Sequence, residues 1–335
     1  MPERSFDFAY IPAGPASETV ALAELGEALG YRSFWLPDQG FHRDPFVHLA
    51  LCAAATRRIK LGTGITSPFT RLPAQIARAA GAIDEIASGR FLLGLGTANV
   101  ANVVKPLGMP YQHPVGRLRD SILLIRRLLA GEKVDFEGEH DQLKGVHLEF
   151  TTRADIPIYV GTRGSQTMEM AGAYADGVLV ESLFAGAGLP HVLEQVGKGA
   201  SRAGRPLVDV DIVSWQLVFI ADDPRAAIAA HKPWIARAFQ VGPPEALRMI
   251  GIDEEERSRV AALIEDGDRQ SAISQISDDS VRCLMVIGNA TQVAEQIQGI
   301  FDRGANAVAL LHVGSFRDTA ANLARFAADV MPAMA

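Results

Sequence analysis

The sequence predicts a (β/α)8 TIM barrel on three observations. Short β-type runs alternate with longer helical patterns along nearly the whole chain, eight such runs can be counted, and several of the helical patterns end at glycine. The runs are FDFAYI (6 to 11), SFWLP (33 to 37), IKLGTGI (59 to 65), RFLLGLG (90 to 96), IPIYVG (156 to 161), GVLVES (177 to 182), VDIVSWQLVFI (210 to 220) and AVALLHV (307 to 313). Between them, apolar residues recur at helical spacing: Ile76, Ala79, Ala80, Ile83 and Ala87; Leu118, Ile122, Ile125 and Leu129; Val293, Ile297 and Ile300. Gly30, Gly89, Gly131 and Gly304 then suit left-handed helix ends ahead of the next strand. Strands each followed by a helix fit a closed barrel better than an open sheet.

Two segments interrupt the rhythm. Residues 132–155 are a polar excursion before the fifth run, and residues 223–280 read as extra helices inserted between strands seven and eight. Such an insertion becomes a lid or an oligomer contact, and the residues leave both open. The chain, 1–335, is read as one barrel domain carrying these two insertions.

Hydrophobic residues make up 48% of the chain and charged residues 21%, the composition of an ordinary globular protein with a large core. A net charge of -7 argues against nucleic acid or an anionic membrane surface as the partner and leaves a small-molecule substrate. Cys52 and Cys283 have no CxxC neighbour, and the histidines stand singly without HxH or HExxH spacing, so neither a disulfide framework nor a metal site is expected. The start, MPERSFDFAYIPAGP, lacks an apolar segment of signal-peptide length, and a cytoplasmic location is expected.

In a barrel the chemistry gathers at the carboxyl ends of the strands. There the chain offers Asp38-Gln39, Thr63 to Ser67, Thr97 to Asn99, Thr162 to Ser165, Glu181-Ser182 and His312 to Ser315. In GTRGSQTMEMAG (161 to 172), Gly161 and Gly164 let the backbone bend around a ligand, a helix opens whose positive end suits a phosphate, and Arg163 adds a charge. The same residues also read as an ordinary strand-to-helix turn with Ser165 as N-cap. GLGTAN (94 to 99) lacks the third glycine of a dinucleotide fingerprint.

Taken together, several stretches resemble the bacterial luciferase-like superfamily of flavin and deazaflavin oxidoreductases, in a subgroup similar to methylenetetrahydromethanopterin reductase. They are "FWLPDQ", "IKLGTGITSPFTRLPAQIARAAGAIDEIASGRFLLGLGTAN", "SILLIRRLLAGEKVDFEGE", "IPIYVGTRGSQTMEMAGAYADGVLVES" and "ISDDSVRCLMVIGNATQVAEQIQGIFDRGANAVAL", and they cover nearly the whole chain. The resemblance implies FMN or the deazaflavin coenzyme as cofactor and hydride transfer to a small organic substrate. Its alternatives are an FMN-dependent monooxygenase fed by a separate flavin reductase, or a flavin-binding protein with little turnover. It implies a non-prolyl cis bond at Gly64-Ile65, forming a bulge that backs the tricyclic ring. Asp38 would lie near the ring's polar edge, Thr97 and Asn99 beside the ring, and Gly161, Thr162, Arg163, Gly164 and Ser165 around the phosphate.

It further implies a homodimer or larger homo-oligomer, for which the Ala-rich helical pattern of 74 to 87 would pack closely against a partner. Many relatives have His where Gln39 stands, and some have a carboxylate at Asn99. Neither residue titrates, which leaves Gln39 as an orienting group and His42, Glu181 and His312 as candidates for proton handling.

Overall fold

The computed structural model describes residues 4–39, 41–138, 142–242, 244–312 and 314–334. The chain adopts the closed parallel (β/α)8 barrel that the alternating runs predict. All eight runs form strands, although Val313 at the end of the last one lies outside the described residues. Gly30, Gly89, Gly131 and Gly304 take positive φ at the helix ends where left-handed backbone was expected. The residues group into two compact units, one of Ser5–Leu179 with Glu194–Val213 and the other of Val180–Leu193 with Ser214 onward and Arg4.

The first unit holds β1 (Ser5–Ala9), α1 (Ala16–Ala28), β2 (Ser33–Leu36), α2 (Pro45–Ala55), β3 (Lys60–Thr63), α3 (Pro73–Ile86), β4 (Phe91–Leu95) and α4 (Pro114–Leu129). After these come a hairpin of β5 (Val134–Glu137) and β6 (Gln142–Val146), then β7 (Ile158–Thr162), α5 (Ser165–Tyr174) and most of β8 (Gly177–Val180). The barrel strands run in the order β1-β2-β3-β4-β7-β8, with parallel register from Asp7 opposite Ser33 to Leu95 opposite Val160. The polar excursion thus contains an antiparallel pair, β5 with β6, that the sequence reading passed over because its strands are short and mostly polar and Val134 alone in them is fully buried.

In the second unit α6 (Ser182–Ala185) and the start of α7 (Leu189–Arg202) precede the longer part of β9 (Asp211–Ile220). The 223–280 segment is helical as expected: α8 (Pro224–Val241), α9 (Pro244–Met249), α10 (Glu254–Glu265), α11 (Arg269–Ser274) and α12 (Asp278–Leu284). Each helix of known cap begins at an acidic or hydroxyl residue, as where Asp253 accepts from the Glu256 amide at 2.7 Å. Then follow β10 (Met285–Gly288), α13 (Ala290–Asp302), β11 (Ala307–Leu311) and α14 (Phe316–Asp329). β10, MVIG, is too short to stand out beside its helices, and it pairs in parallel with Leu217 to Ile220.

Two faces of the first unit's sheet are stabilised differently. Toward the helices, Phe8 stacks on Phe34 with ring centroids 4.3 Å apart, and Gly26 leaves room for Phe8 against α1. On the opposite face lies a polar cluster. Arg32 Nε and Nη2 donate to the two oxygens of the fully buried Asp7 at 2.8 and 2.7 Å, and Nη1 donates to Asp211 at 2.9 Å. Trp35 Nε1 donates to Asp7 at 2.9 Å, and the Tyr159 hydroxyl donates to Asp211 at 2.8 Å. Burial draws the Arg32 guanidinium toward neutrality, but the two carboxylates outweigh it and hold the group firmly charged.

Such a cluster ties β1, β2, β7 and the start of β9 together, because Arg32 bonds both carboxylates while Trp35 and Tyr159 each bond one of them. Asp7→Asn leaves one prong of the Arg32 fork facing an amide and is expected to cost about 3 kcal/mol. The check is the urea midpoint, which falls for the variant; an unchanged midpoint would show that the cluster contributes nothing to stability.

Candidate active site

The stretch LGTGITSPFTR turns at the end of β3 in a way the strand alone does not require. Gly64-Ile65 is a cis peptide, as the resemblance implies. The Gly64 amide donates to Leu36 O at 2.9 Å, and Ile65 O accepts from the Asp38 amide at 3.1 Å, so the bulge is held to the end of β2. On its other side Thr66 N donates to Gly94 O at 2.9 Å and Thr66 O accepts from Gly96 N at 3.0 Å, binding it to β4.

The Ile65 side chain then lies over strand ends that carry no side chains. A Cβ built on Gly96 would stand 2.8 Å from Ile65 Cγ1 and Cδ1, and one on Gly161 would stand 2.8 Å from Ile65 Cγ2. Only glycine at both positions lets the half-buried Ile65 settle there, since such approaches fall well inside van der Waals contact. Gly94 admits Thr63 in the same manner, a Cβ there being 1.9 Å from the Thr63 carbonyl oxygen.

Asp38 is fixed beside this bulge. Its Oδ2 accepts from Thr66 Oγ1 at 2.8 Å and from Arg71 Nε at 3.2 Å. Beyond β4, Ala98 takes φ 63°, a left-handed turn unusual for a residue with a Cβ, and places half-buried Thr97 and Asn99 on either side of it. A π-helical turn, Val100–Val104, follows. At β7, Thr162 is buried and its hydroxyl donates to Gly164 O at 3.3 Å. The cap of α5 is Gly164, with no side chain bonded across it, so Ser165 is the first helical residue and not the N-cap of the alternative reading. The positive end of α5 therefore opens immediately after β7.

The structure thus brings Asp38, Gly64, Ile65 and Gly161 into one constellation, with Thr162, Arg163, Gly164 and Ser165 continuing from it along the chain. Gln39 and His42 are exposed in the loop after β2. Arg71, Gly94 and Gly96 were missed by sequence reasoning, and Thr66 was named only within the strand-end stretch Thr63 to Ser67. The signal was present in the glycines, which alternate as Gly94 and Gly96 along an otherwise apolar strand and so mark one face of it.

Glu181 belongs to the second unit, where its carbonyl accepts from the Phe184 amide at 2.8 Å as α6 begins. In that unit His312 follows β11, its ring 4.9 Å from Phe219, whose ring is 4.0 Å from His231. His231 Nδ1 pairs with Ala227 O at 2.7 Å, whereas His312 Nδ1 and Trp215 Nε1 are buried without a hydrogen-bond partner among the described residues. Burial, with His231 adding to it and Asp318 opposing it, holds the His312 imidazole below its usual range. Among the described residues no cluster of His, Cys, Asp or Glu is arranged to hold a metal.

The comparisons identify this barrel as one of the luciferase-like flavin and deazaflavin oxidoreductases. The luciferase-like monooxygenase family model matches residues 5–307, and the chain is a member of that family and an enzyme. A 5,10-methylenetetrahydromethanopterin reductase of Methanolobus tindarius is 30% identical over 91% of this chain and 93% of its own. An F420-dependent glucose-6-phosphate dehydrogenase of Intrasporangium calvum is 28% identical over 95% and 94%. The solved coenzyme F420-dependent tetrahydromethanopterin reductase from Methanopyrus kandleri superposes with a TM-score of 0.88 at 26% identity, covering 99% of both chains.

The lowered His312 value carries a sign. A histidine kept neutral by folding contributes stability that is present above about pH 6.5 and is lost as pH falls through that value toward the folded one. His48, also lowered by burial, acts in the same direction. His312→Gln is therefore expected to lessen, without abolishing, the drop in urea midpoint between pH 7.5 and pH 5; an equal drop in both proteins would contradict it.

Proposed function

We propose that the protein transfers hydride between a tricyclic cofactor, the deazaflavin coenzyme F420 in preference to FMN, and a small organic substrate. The observation that carries this is the pair of bare strand ends, Gly96 and Gly161, against the Ile65 side chain, continuing into the N-terminus of α5 at Gly164. The F420-dependent relatives named above favour F420 over FMN.

The cofactor supplies the hydride chemistry when bound. The chain's own residues do the rest. Ile65 backs the ring, and Thr97 and Asn99 border it. Gly161, Thr162, Arg163, Gly164 and Ser165 hold the phosphate at the positive end of α5. Asp38 accepts a hydrogen bond from the ring's polar edge. Gln39 and Asn99 orient groups by hydrogen bonding and move no proton. His42 and Glu181 are each proposed as ionisable side chains available for proton handling.

The whole chain serves as a single cytoplasmic catalytic domain with 132–155 and 223–280 as insertions. Among the described residues no helix is long and apolar enough to cross a membrane. A homodimer forms through the outer faces of α2 and α3, where Val47, Leu51, Leu72 and Ile86 are exposed. Sedimentation velocity at micromolar concentration is expected to return the dimer, and a monomer would count against that face.

Fluorescence titration with F420 and, separately, FMN tests the cofactor. F420 binds more tightly than FMN, and Gly164→Asp, which sets a negative charge against the phosphate, weakens it more than about tenfold. Gly161→Val, which occupies the space of the Ile65 side chain, weakens it comparably. No binding of either cofactor to the wild-type protein overturns the reading. Oxygen uptake with reduced FMN reassigns the reaction to a monooxygenase supplied by a separate flavin reductase.

A further inference from the structure

Arg71 lies in the loop between β3 and α3 and has a more constrained setting than a surface arginine. Ser67 shapes the turn that delivers it, its carbonyl accepting from the Arg71 amide at 3.1 Å and its hydroxyl from the Phe69 amide at 3.2 Å. The guanidinium lies over the ring of buried Phe46, with Cζ 4.9 Å from the centroid. Its edges reach two carboxylates: Nε to Asp38 Oδ2 at 3.2 Å and Nη2 to Asp44 Oδ2 at 2.5 Å. Asp44 is itself fixed, because its Oδ1 caps α2 by accepting from the Phe46 amide at 2.8 Å. A chain of contacts thus runs from the N-terminus of α2 through Asp44 and Arg71 to Asp38 and Thr66.

At Asp38 the consequence is asymmetric. Oδ2 receives both Thr66 Oγ1 and Arg71, while Oδ1 accepts nothing from the described residues. The carboxylate's plane is set from one side and its second oxygen is left to accept from a ligand. Asp38 is in turn anchored to the bulge through its amide on Ile65 O.

We infer that Arg71 is a positioning residue for cofactor recognition: it holds Asp38 so that Oδ1 accepts a ring N–H of the bound isoalloxazine or deazaflavin. This rests on the cofactor reading above. The planar fork is what the role needs, since a lysine has one compact charge and can neither stack on Phe46 in the same way nor reach both carboxylates along two edges. Position 71 thereby sets cofactor affinity without touching the cofactor.

The test is a double-mutant cycle on cofactor affinity, using the full chain and F420 and FMN as probes, with thermal unfolding run on every variant. Arg71→Met is expected to raise Kd about tenfold in the wild-type background and less than about twofold in an Asp38→Asn background, because the effect passes through Asp38. Arg71→Lys restores less than half of the lost affinity on a logarithmic scale. Equal losses in the two backgrounds, or no loss in either, overturn the inference while the cofactor reading stands. Failure of the wild-type protein to bind either probe overturns both. Should Arg71→Met not fold, Asp44→Asn, which retains a helix cap and weakens one anchor of Arg71, supplies the same comparison with a smaller loss expected.

Discussion

The site depends on one steric constraint: nothing larger than hydrogen can occupy the α-carbons of Gly96 and Gly161 on the side facing Ile65. A barrel interior is ordinarily filled by side chains from successive strands. At these strand ends the filling is withdrawn from β4 and β7, and a single isoleucine from the bulge after β3 covers both gaps. The backbone on either side is then pinned by hydrogen bonds to β2 and β4, so the bulge is as well determined as the strands it joins. That arrangement answers why a β-branched residue stands between a glycine and two hydroxyl residues in TGITS. The glycine turns the chain, the isoleucine presents an apolar surface, and Thr66 supplies the bond to Asp38.

The same unit is organised differently away from the bulge. There Arg32, Asp7 and Asp211 form an ion cluster sealed by Trp35 and Tyr159, and the planes of these aromatic rings meet edge to face at 5.0 Å. A partly buried triad of this kind is weak evidence for stability by itself, because desolvation opposes the attraction. Its contribution is geometric. The five groups come from four stretches of chain, at β1, β2, β7 and the start of β9, and their bonds form together only in the native register. Rigidity at the strands supports precise placement at their ends, where a small displacement of a binding group costs far more than its contact energy.

Much of this was legible beforehand. All eight barrel strands followed from apolar runs punctuated by glycine, and the helical insertion followed from its acidic caps and periodicity. The hairpin β5–β6 and the short strand β10 were not, because one is short and mostly polar and the other consists of four residues among helices. The Gly64-Ile65 bulge was visible only through resemblance, since no pattern of residue types encodes a cis bond without proline. Asp38 stood out as a polar residue at a strand end. Arg71 and Asp44 did not, because they read as ordinary loop residues; Thr66 stood within the strand-end stretch Thr63 to Ser67, but its bond to Asp38, like theirs, is a matter of tertiary distance.

The central claim, that a tricyclic ring lies against Ile65 with its phosphate at the start of α5, is tested most directly by a crystal structure of the protein soaked with F420. The account predicts ring density in van der Waals contact with Ile65, the ring's polar edge within hydrogen-bond distance of Asp38, and a phosphate against the Gly164 and Ser165 amides. Cofactor density seated elsewhere, or a ring separated from Ile65 by other side chains, would contradict it.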